Sequence, residues 1–179
     1  IKSIQGHIRF NNVSFSYDKK QEPALKNIDI DLPPGKTLAI IGETGSGKTT
    51  LVNLILRLYD ITEGSLEIDD NPISKIPLSK LRTSIGYVPQ DSFLFSTTIK
   101  DNIAFGVENA SDQEIVQASK TAQIYDNIME LPENFETIVG ERGVTLSGGQ
   151  KQRASIARAL IMDPKILILD DSLSAVDTD

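Results

Sequence analysis

The sequence contains no cysteine. Disulfides and thiolate metal sites are therefore excluded, which fits a reducing compartment. Long apolar runs are missing too: no stretch approaches the roughly 20 residues that span a bilayer. Ile1–Phe10 lacks the apolar length of a secretory leader. As given, the chain reads as soluble, so any membrane it serves must be reached through another segment. Positive charge is also scarce. A formal net charge of -7 argues against a nucleic-acid-coating protein, because neutralising phosphates needs a cationic face. The only histidine is His7, expected at the surface of an opening strand. No internal repeat, low-complexity tract or linker is present. What remains is 179 residues of 39% hydrophobic content, enough to bury the core of one domain.

The opening third predicts antiparallel strands. Ile8 and Phe10 alternate with polar neighbours, as do Val13, Phe15 and Tyr17, and then Ile28, Ile30 and Leu32. Pro33-Pro34-Gly35 marks a sharp loop. Thr37–Ile41 is a short, nearly continuous apolar run, as expected of a strand covered on both faces. Glycines follow, then a helix with Leu51, Leu54, Ile55 and Leu58 on one face. A strand feeding a helix through a glycine loop is the core of an α/β layer. Ser65–Asp69 and Ile85–Val88 predict further strands. Between about Thr98 and Leu131 the pattern turns helical, with capping-box spacing at Ser111-Asp112-Gln113-Glu114 and a second short helix through Ile124, Ile128 and Leu131. A later helix runs from about Gln150 to Met162. Asp163-Pro164 stops it. Ile166–Leu169 then predicts a buried parallel strand tipped by Asp170 and Asp171.

Gly42-Glu43-Thr44-Gly45-Ser46-Gly47-Lys48-Thr49 fits the pattern G-x-x-x-x-G-K-[ST]. Glycines let the backbone curl so that successive N–H groups face phosphate oxygens. The helix starting near Lys48 adds the positive end of its dipole. Lys48 should reach the terminal phosphates and Thr49 should place its hydroxyl on magnesium, with Thr50 completing the binding segment. The loop lies between an apolar strand and an amphipathic helix, which is the context this chemistry requires. A nucleoside triphosphate with Mg2+ is the expected ligand. Such a metal needs a carboxylate on its water shell, and Asp170 at the end of Ile166–Leu169 is the candidate; read alone, it is a surface aspartate at a strand end. Leu146-Ser147-Gly148-Gly149-Gln150 places a serine and two glycines at a second helix start. Taken alone this is an N-cap. Together with the first loop it gives two phosphate-facing helix starts in one chain, so each nucleotide is expected to touch two copies.

These residues resemble the ATP-binding domain of ATP-binding cassette (ABC) transporters, collinearly over nearly the whole chain. The resemblance is carried by Phe15-Ser16-Tyr17, the loop at 42–49, Tyr87-Val88-Pro89-Gln90, Leu146–Gln150, Ile166–Asp170 and Ser174-Ala175-Val176-Asp177. Gln90-Asp91-Ser92-Phe93-Leu94-Phe95, Ile99-Lys100-Asp101-Asn102-Ile103 and Glu141-Arg142-Gly143 look like exporter-type cassettes, where such segments face the membrane domains. The resemblance implies an α/β P-loop NTPase fold over residues 1–179: a RecA-like parallel sheet core, an N-terminal antiparallel β subdomain, and a helical insertion plus signature helix at about 98–162. It further implies that Tyr17 stacks on adenine. Gln90 would contact magnesium or the attacking water, and Ser147, Gly148, Gly149 and Gln150 would bind ATP held by the opposite domain. Asp177 would lie across the dimer interface, and Glu141 would meet the coupling helices. The implied cofactors are ATP and Mg2+. The implied partners are a second ABC ATP-binding domain and transmembrane domains, without nucleic acid, and the implied location is the cytoplasmic face of a membrane.

Two departures qualify the resemblance. Hydrolysing relatives usually carry glutamate directly after the strand's aspartate, whereas Asp171 stands here. Its carboxylate is one methylene shorter and retreats by about 1.5 Å, and a displacement near 1 Å can cost about a hundredfold in rate. The chain's own site is therefore expected to bind ATP and hydrolyse it slowly, as in the degenerate half of a heterodimeric multidrug exporter. The family pattern also continues to a switch histidine beyond Asp179, so the C-terminal part of the domain is expected to be missing. The competing expectations are a soluble ABC-type ATPase of DNA repair or translation, which should lack the exporter-like segments around Gln90 and Glu141, and a regulatory nucleotide-binding module without turnover.

Overall fold

The computed structural model describes residues 3–18, 20, 22–140 and 143–170, and the chain divides into two compact units, Ile1–Ile85 and Gly86–Asp179. In the first unit, β1 (Ile8–Phe15), β2 (Leu25–Leu32), α1 (Lys48–Ile55), β3 (Glu63–Ile68), β4 (Asn71–Pro72) and α2 (Leu78–Thr83) follow in chain order. The strands form one sheet in the order β2-β1-β3-β4. β1 pairs antiparallel on both sides: Phe10 faces Ile30 on β2 and Leu66 on β3. The alternation that predicted these strands buries Ile8, Phe10, Leu66 and Ile68.

Phe10 and Val13 are both buried although an odd spacing should put them on opposite faces. The register shifts between them, and Asn12 adopts φ 48 at the irregularity, so the extra residue of a bulge returns Val13 to the core. The bulge needs Gly64 opposite, because a Cβ there would lie 2.3 Å from the Asn12 carbonyl oxygen.

β5 (Ile85–Val88), which enters the second unit at Gly86, precedes α3 (Ile99–Ala104), α4 (Asp112–Thr121), α5 (Tyr125–Met129), α6 (Gly148–Leu160) and β6 (Ile166–Leu169), with β5 and β6 hydrogen-bonded neighbours. The helices close over a core that includes Ile99, Ile103, Ile115, Ile124, Ile128 and Val139. α6 offers Ala154 and Ala157 to it, small side chains that let α3 and α4 pack closely on this helix. α4 begins with the predicted capping box: Ser111 Oγ accepts from the Glu114 N–H, and the Glu114 carboxylate accepts from the Ser111 N–H. The Ser111 hydroxyl also donates to Glu114 Oε2 at 2.7 Å, and this bond, then the one from the Ser111 N–H, holds the Glu114 carboxyl below its ordinary pKa of 4.5.

The polar hub of this unit is Asn102, which is fully buried. Its side chain bonds both the N–H and the carbonyl of Phe95, while Arg158 on α6 donates to the Asn102 side chain and carbonyl and to the Phe93 carbonyl. Burial lowers the pKa of the Arg158 guanidinium, and three charge-assisted hydrogen bonds offset that cost. The segment 93–102 is thereby pinned to α6.

Three expectations are corrected. Thr37–Ile41 forms no strand among the described residues, and Ile41 is 95% exposed. An apolar run becomes a buried strand only when neighbours hydrogen-bond to it, and none of the described strands does so. Ile166–Leu169 is a strand, yet Leu167 and Leu169 are exposed, so it is not buried along its length. Leu58 is also exposed: α1 ends at Ile55, and Arg57 at φ 50 turns the chain out of the helix. No helix among the described residues is long and apolar enough to cross a membrane.

Candidate nucleotide site

The loop at 42–49 and α1 lie in the first unit. The Ser46 N–H donates to the Glu43 carbonyl at 3.2 Å, closing a tight turn, and the helical ladder begins where the Leu51 N–H donates to the Gly47 carbonyl at 3.0 Å. Gly47 is the N-cap at φ 95, and a Cβ on it would lie 2.8 Å from the Ala24 carbonyl oxygen and 2.9 Å from Leu25 Cδ2. Only glycine satisfies both the left-handed backbone and this close approach to the start of β2. No side chain caps α1, and its first turn carries no acid, so the leading amides and dipole are left for an external anion.

Lys48 Nζ folds back over the loop and donates to the carbonyls of Gly42 (2.7 Å) and Glu43 (2.8 Å). The ammonium is thus held against the carbonyls of its own loop. Thr49 follows Lys48 in the first turn, and Thr50 is buried. The Tyr17 hydroxyl lies 3.0 Å from Thr50 Oγ1. Its ring stands edge-on to Phe15 and Tyr59 and is 55% exposed. The structure therefore gathers Tyr17, Gly42, Glu43, Thr44, Gly45, Ser46, Gly47, Lys48, Thr49 and Thr50 into one neighbourhood. Sequence reasoning missed Tyr59, whose place beside Tyr17 leaves no local signal.

In the second unit, the Asp170 N–H donates to the Val88 carbonyl at 2.9 Å, which places Asp170 where β6 leaves β5. The Tyr87 hydroxyl donates to Asp170 Oδ2 at 3.4 Å. Burial, then the Asp170 charge and this bond, raise the Tyr87 phenol above its ordinary pKa of 10.0. Gln90 lies just past the end of β5. Tyr87 lies in the Tyr87–Gln90 motif, in which the family resemblance implies a role for Gln90 alone. The available signal was a tyrosine on a strand next to an acid-tipped strand.

Ser147 caps α6: its Oγ accepts from the Gln150 N–H at 3.2 Å, and Gln150 Oε1 accepts from the Ser147 N–H at 2.9 Å. Because Ser147 acts in the cap as an acceptor, its hydroxyl proton remains available to an incoming oxygen. Gly148 presents open space, with nothing within 4 Å of where a Cβ would stand. Near this helix start lies a cavity of about 290 Å3 lined by residues that include Ser92, Phe93, Gly140, Thr145 and Lys151. Phe93, Phe95 and Phe105 form an exposed aromatic cluster, with the Arg158 guanidinium near the Phe95 and Phe105 rings.

Lys48 and Thr49 belong to the first unit, while Asp170, Gln90 and Ser147–Gln150 belong to the second. Asp171, Glu141 and Asp177 lie outside the described residues. Among the described residues no three His, Cys, Asp or Glu side chains cluster as a metal cage. The curled loop, the uncapped helix and the poised ammonium suit a polyphosphate.

A family model described as ABC transporter matches residues 25–174. An uncharacterized ABC transporter ATP-binding protein of Bacillus subtilis (strain 168) is 55% identical over 174 residues, covering 97% of this chain and 30% of the relative. A putative multidrug export ATP-binding/permease protein of Staphylococcus aureus (strain NCTC 8325 / PS 47) is 49% identical over 177 residues, covering 99% of this chain and 31% of the relative. Among solved structures, a bacterial Atm1-family ABC exporter with ATP bound aligns with a TM-score of 0.91 at 44% identity, over 97% of this chain and 30% of that one. The chain thus spans about a third of the length of the relatives it matches. Its fold is that of the P-loop NTPases in their ABC form, mixed α/β with an antiparallel β part. The chain belongs to the ABC transporter family.

Proposed function

We propose that the chain is the ATP-binding motor of an ABC exporter, working at the cytoplasmic face of a membrane. The carrying observation is the helix start of α1: an uncapped N-terminus behind a glycine-curled loop, with Lys48 held over it. The loop amides and the α1 dipole bind the phosphates, and Lys48 exchanges its two carbonyl partners for phosphate oxygens. Tyr17 presents its exposed ring to the base. Thr49 in the first unit, and Asp170 and Gln90 in the second, are each candidate oxygen donors to magnesium, which would set positive charge against the phosphate oxygens.

The second half of the reaction surface belongs to α6. Its capping box uses Ser147 Oγ as an acceptor and Gly148 is exposed with open space beside it, an arrangement suited to phosphate oxygens of ATP held by a second ABC domain. Two domains then close around the nucleotide, and closure moves attached permease segments. The aromatic cluster at Phe93 and the adjacent cavity provide a surface for such segments. The S. aureus relative is described as an ATP-binding/permease protein, which supports this partner.

Asp171 in place of glutamate favours slow hydrolysis at this chain's own loop, and hence a heterodimer whose partner supplies the glutamate. The test is ATP-dependent transport by the full-length protein in inside-out vesicles, with and without Lys48→Ala. Uptake lost in the variant supports the motor. ATP binding that drives no uptake in either protein would favour a regulatory module.

A further inference from the structure

We propose that Tyr87 is a positioning residue for the magnesium-holding carboxylate of Asp170. The inference rests on the reading of Asp170 given above and deepens it. β5 and β6 are hydrogen-bonded neighbours, and the Asp170 N–H is tied to the Val88 carbonyl at 2.9 Å. This bond fixes the backbone of Asp170 but leaves its side chain free to rotate. The Tyr87 hydroxyl supplies the missing restraint by donating to Oδ2 at 3.4 Å.

A phenol has one proton to give, and it goes to one carboxylate oxygen. Oδ1 and the remaining lone pairs of Oδ2 stay available to the metal's water shell, and the carboxylate keeps its charge. Outer partners of metal-holding groups act in this way, fixing the rotamer of the ligand, and their loss costs about 10- to 100-fold in metal affinity. The 3.4 Å separation is long for an O–H···O bond, which sets the expected effect at or below the bottom of that range, about 3- to 10-fold.

The test compares wild type, Tyr87→Phe and Asp170→Asn in the full-length protein. Phenylalanine keeps the ring and deletes only the hydroxyl, so the fold should persist; a thermal melt checks this. Binding of a fluorescent ATP analogue is titrated against free Mg2+, and separately in EDTA. In Tyr87→Phe the Mg2+ concentration at half-saturation should rise about 3- to 10-fold, with EDTA affinity unchanged. With Mn2+ as the probe, the electron paramagnetic resonance line shape of the bound ion should broaden as its shell loses order. A shift in Asp170→Asn without one in Tyr87→Phe overturns the role of Tyr87 and leaves Asp170 standing. If Asp170→Asn leaves the Mg2+ dependence intact, the metal reading itself fails, and the proposal with it. A Tyr87→Phe variant that loses affinity equally in EDTA, or melts early, marks Tyr87 as packing only and also overturns it.

Discussion

Replacing Gly148 with alanine separates what the fold needs from what the proposed dimer needs. Gly148 opens α6, its backbone is not left-handed, and a Cβ there would meet nothing within 4 Å. The isolated chain therefore has no steric reason to keep glycine at this position. Alanine is favoured over glycine inside helices by about 1 kcal/mol, so Gly148→Ala should leave stability unchanged or raise it by up to about that amount. Binding of ATP to the loop at 42–49 should also be unaffected. The loss should come at closure, where the methyl group would occupy space needed by the phosphate of a partner-held ATP. Hydrogen bonds to a charged group are worth about 1.5–3 kcal/mol each, so losing one should cut ATP-driven closure, and turnover at the partner's site, about 10- to 100-fold. The assay pairs urea unfolding with ATP-induced association followed by resonance energy transfer in the full-length protein. Turnover within about twofold of wild type, or a variant that fails to fold, would refute the reasoning.

Gly47→Ala should behave in the opposite way. It combines a left-handed backbone, about 1–2 kcal/mol, with overpacking against Ala24 and Leu25, about 1–3 kcal/mol, so urea unfolding should show a loss of about 2–5 kcal/mol. Gly45→Ala, at φ +82 with nothing within 4 Å, should cost only the backbone part. Asp171→Glu should raise ATP turnover in a purified pair with the cognate partner; unchanged or lower turnover counts against slow hydrolysis at this site. In the first sheet, a hydrogen bond from His7, more than the charges of His7 and Arg9, holds the Asp31 carboxyl below its ordinary pKa of 3.8. A lowered folded pKa stabilises above the ordinary value and loses that contribution as pH falls through the folded one. Asp31→Asn should therefore flatten the drop in urea midpoint below about pH 4, and an identical acid limb in both proteins would contradict this.

How much of the molecule was legible in the sequence depended on how local its cause is. The capping box at Ser111 is a three-residue relationship and formed as its spacing predicts, and Ser147 is an N-cap as expected, with Gln150 closing a second box there. The glycine loop and the start of α1 are equally local. Thr37–Ile41 was misread because a strand exists only through its neighbours, and an apolar run carries no information about whether they pair with it. The Asn102–Arg158 hub was invisible for the same reason: 56 positions separate the two residues, and a buried asparagine looks like a surface one in sequence. Tyr87 and Asp170, 83 positions apart, both lie inside family motifs, yet only sheet pairing reveals that they meet. Asp69 gives a further case. Its carboxylate accepts from the N–H groups of Gln5, Gly6 and His7 and so clasps the entry to β1, with no pattern to announce it.

The central proposal is that the loop carrying Lys48 binds ATP and that Asp170 makes this binding depend on Mg2+. Titration calorimetry of the full-length protein with ATP, in the presence and absence of Mg2+, tests it most directly when repeated on Lys48→Ala and Asp170→Asn. Saturable heat that is largely lost in Lys48→Ala, and that loses its Mg2+ dependence in Asp170→Asn, is the predicted result. No heat from the folded wild type, or the same heat from all three proteins, would contradict it.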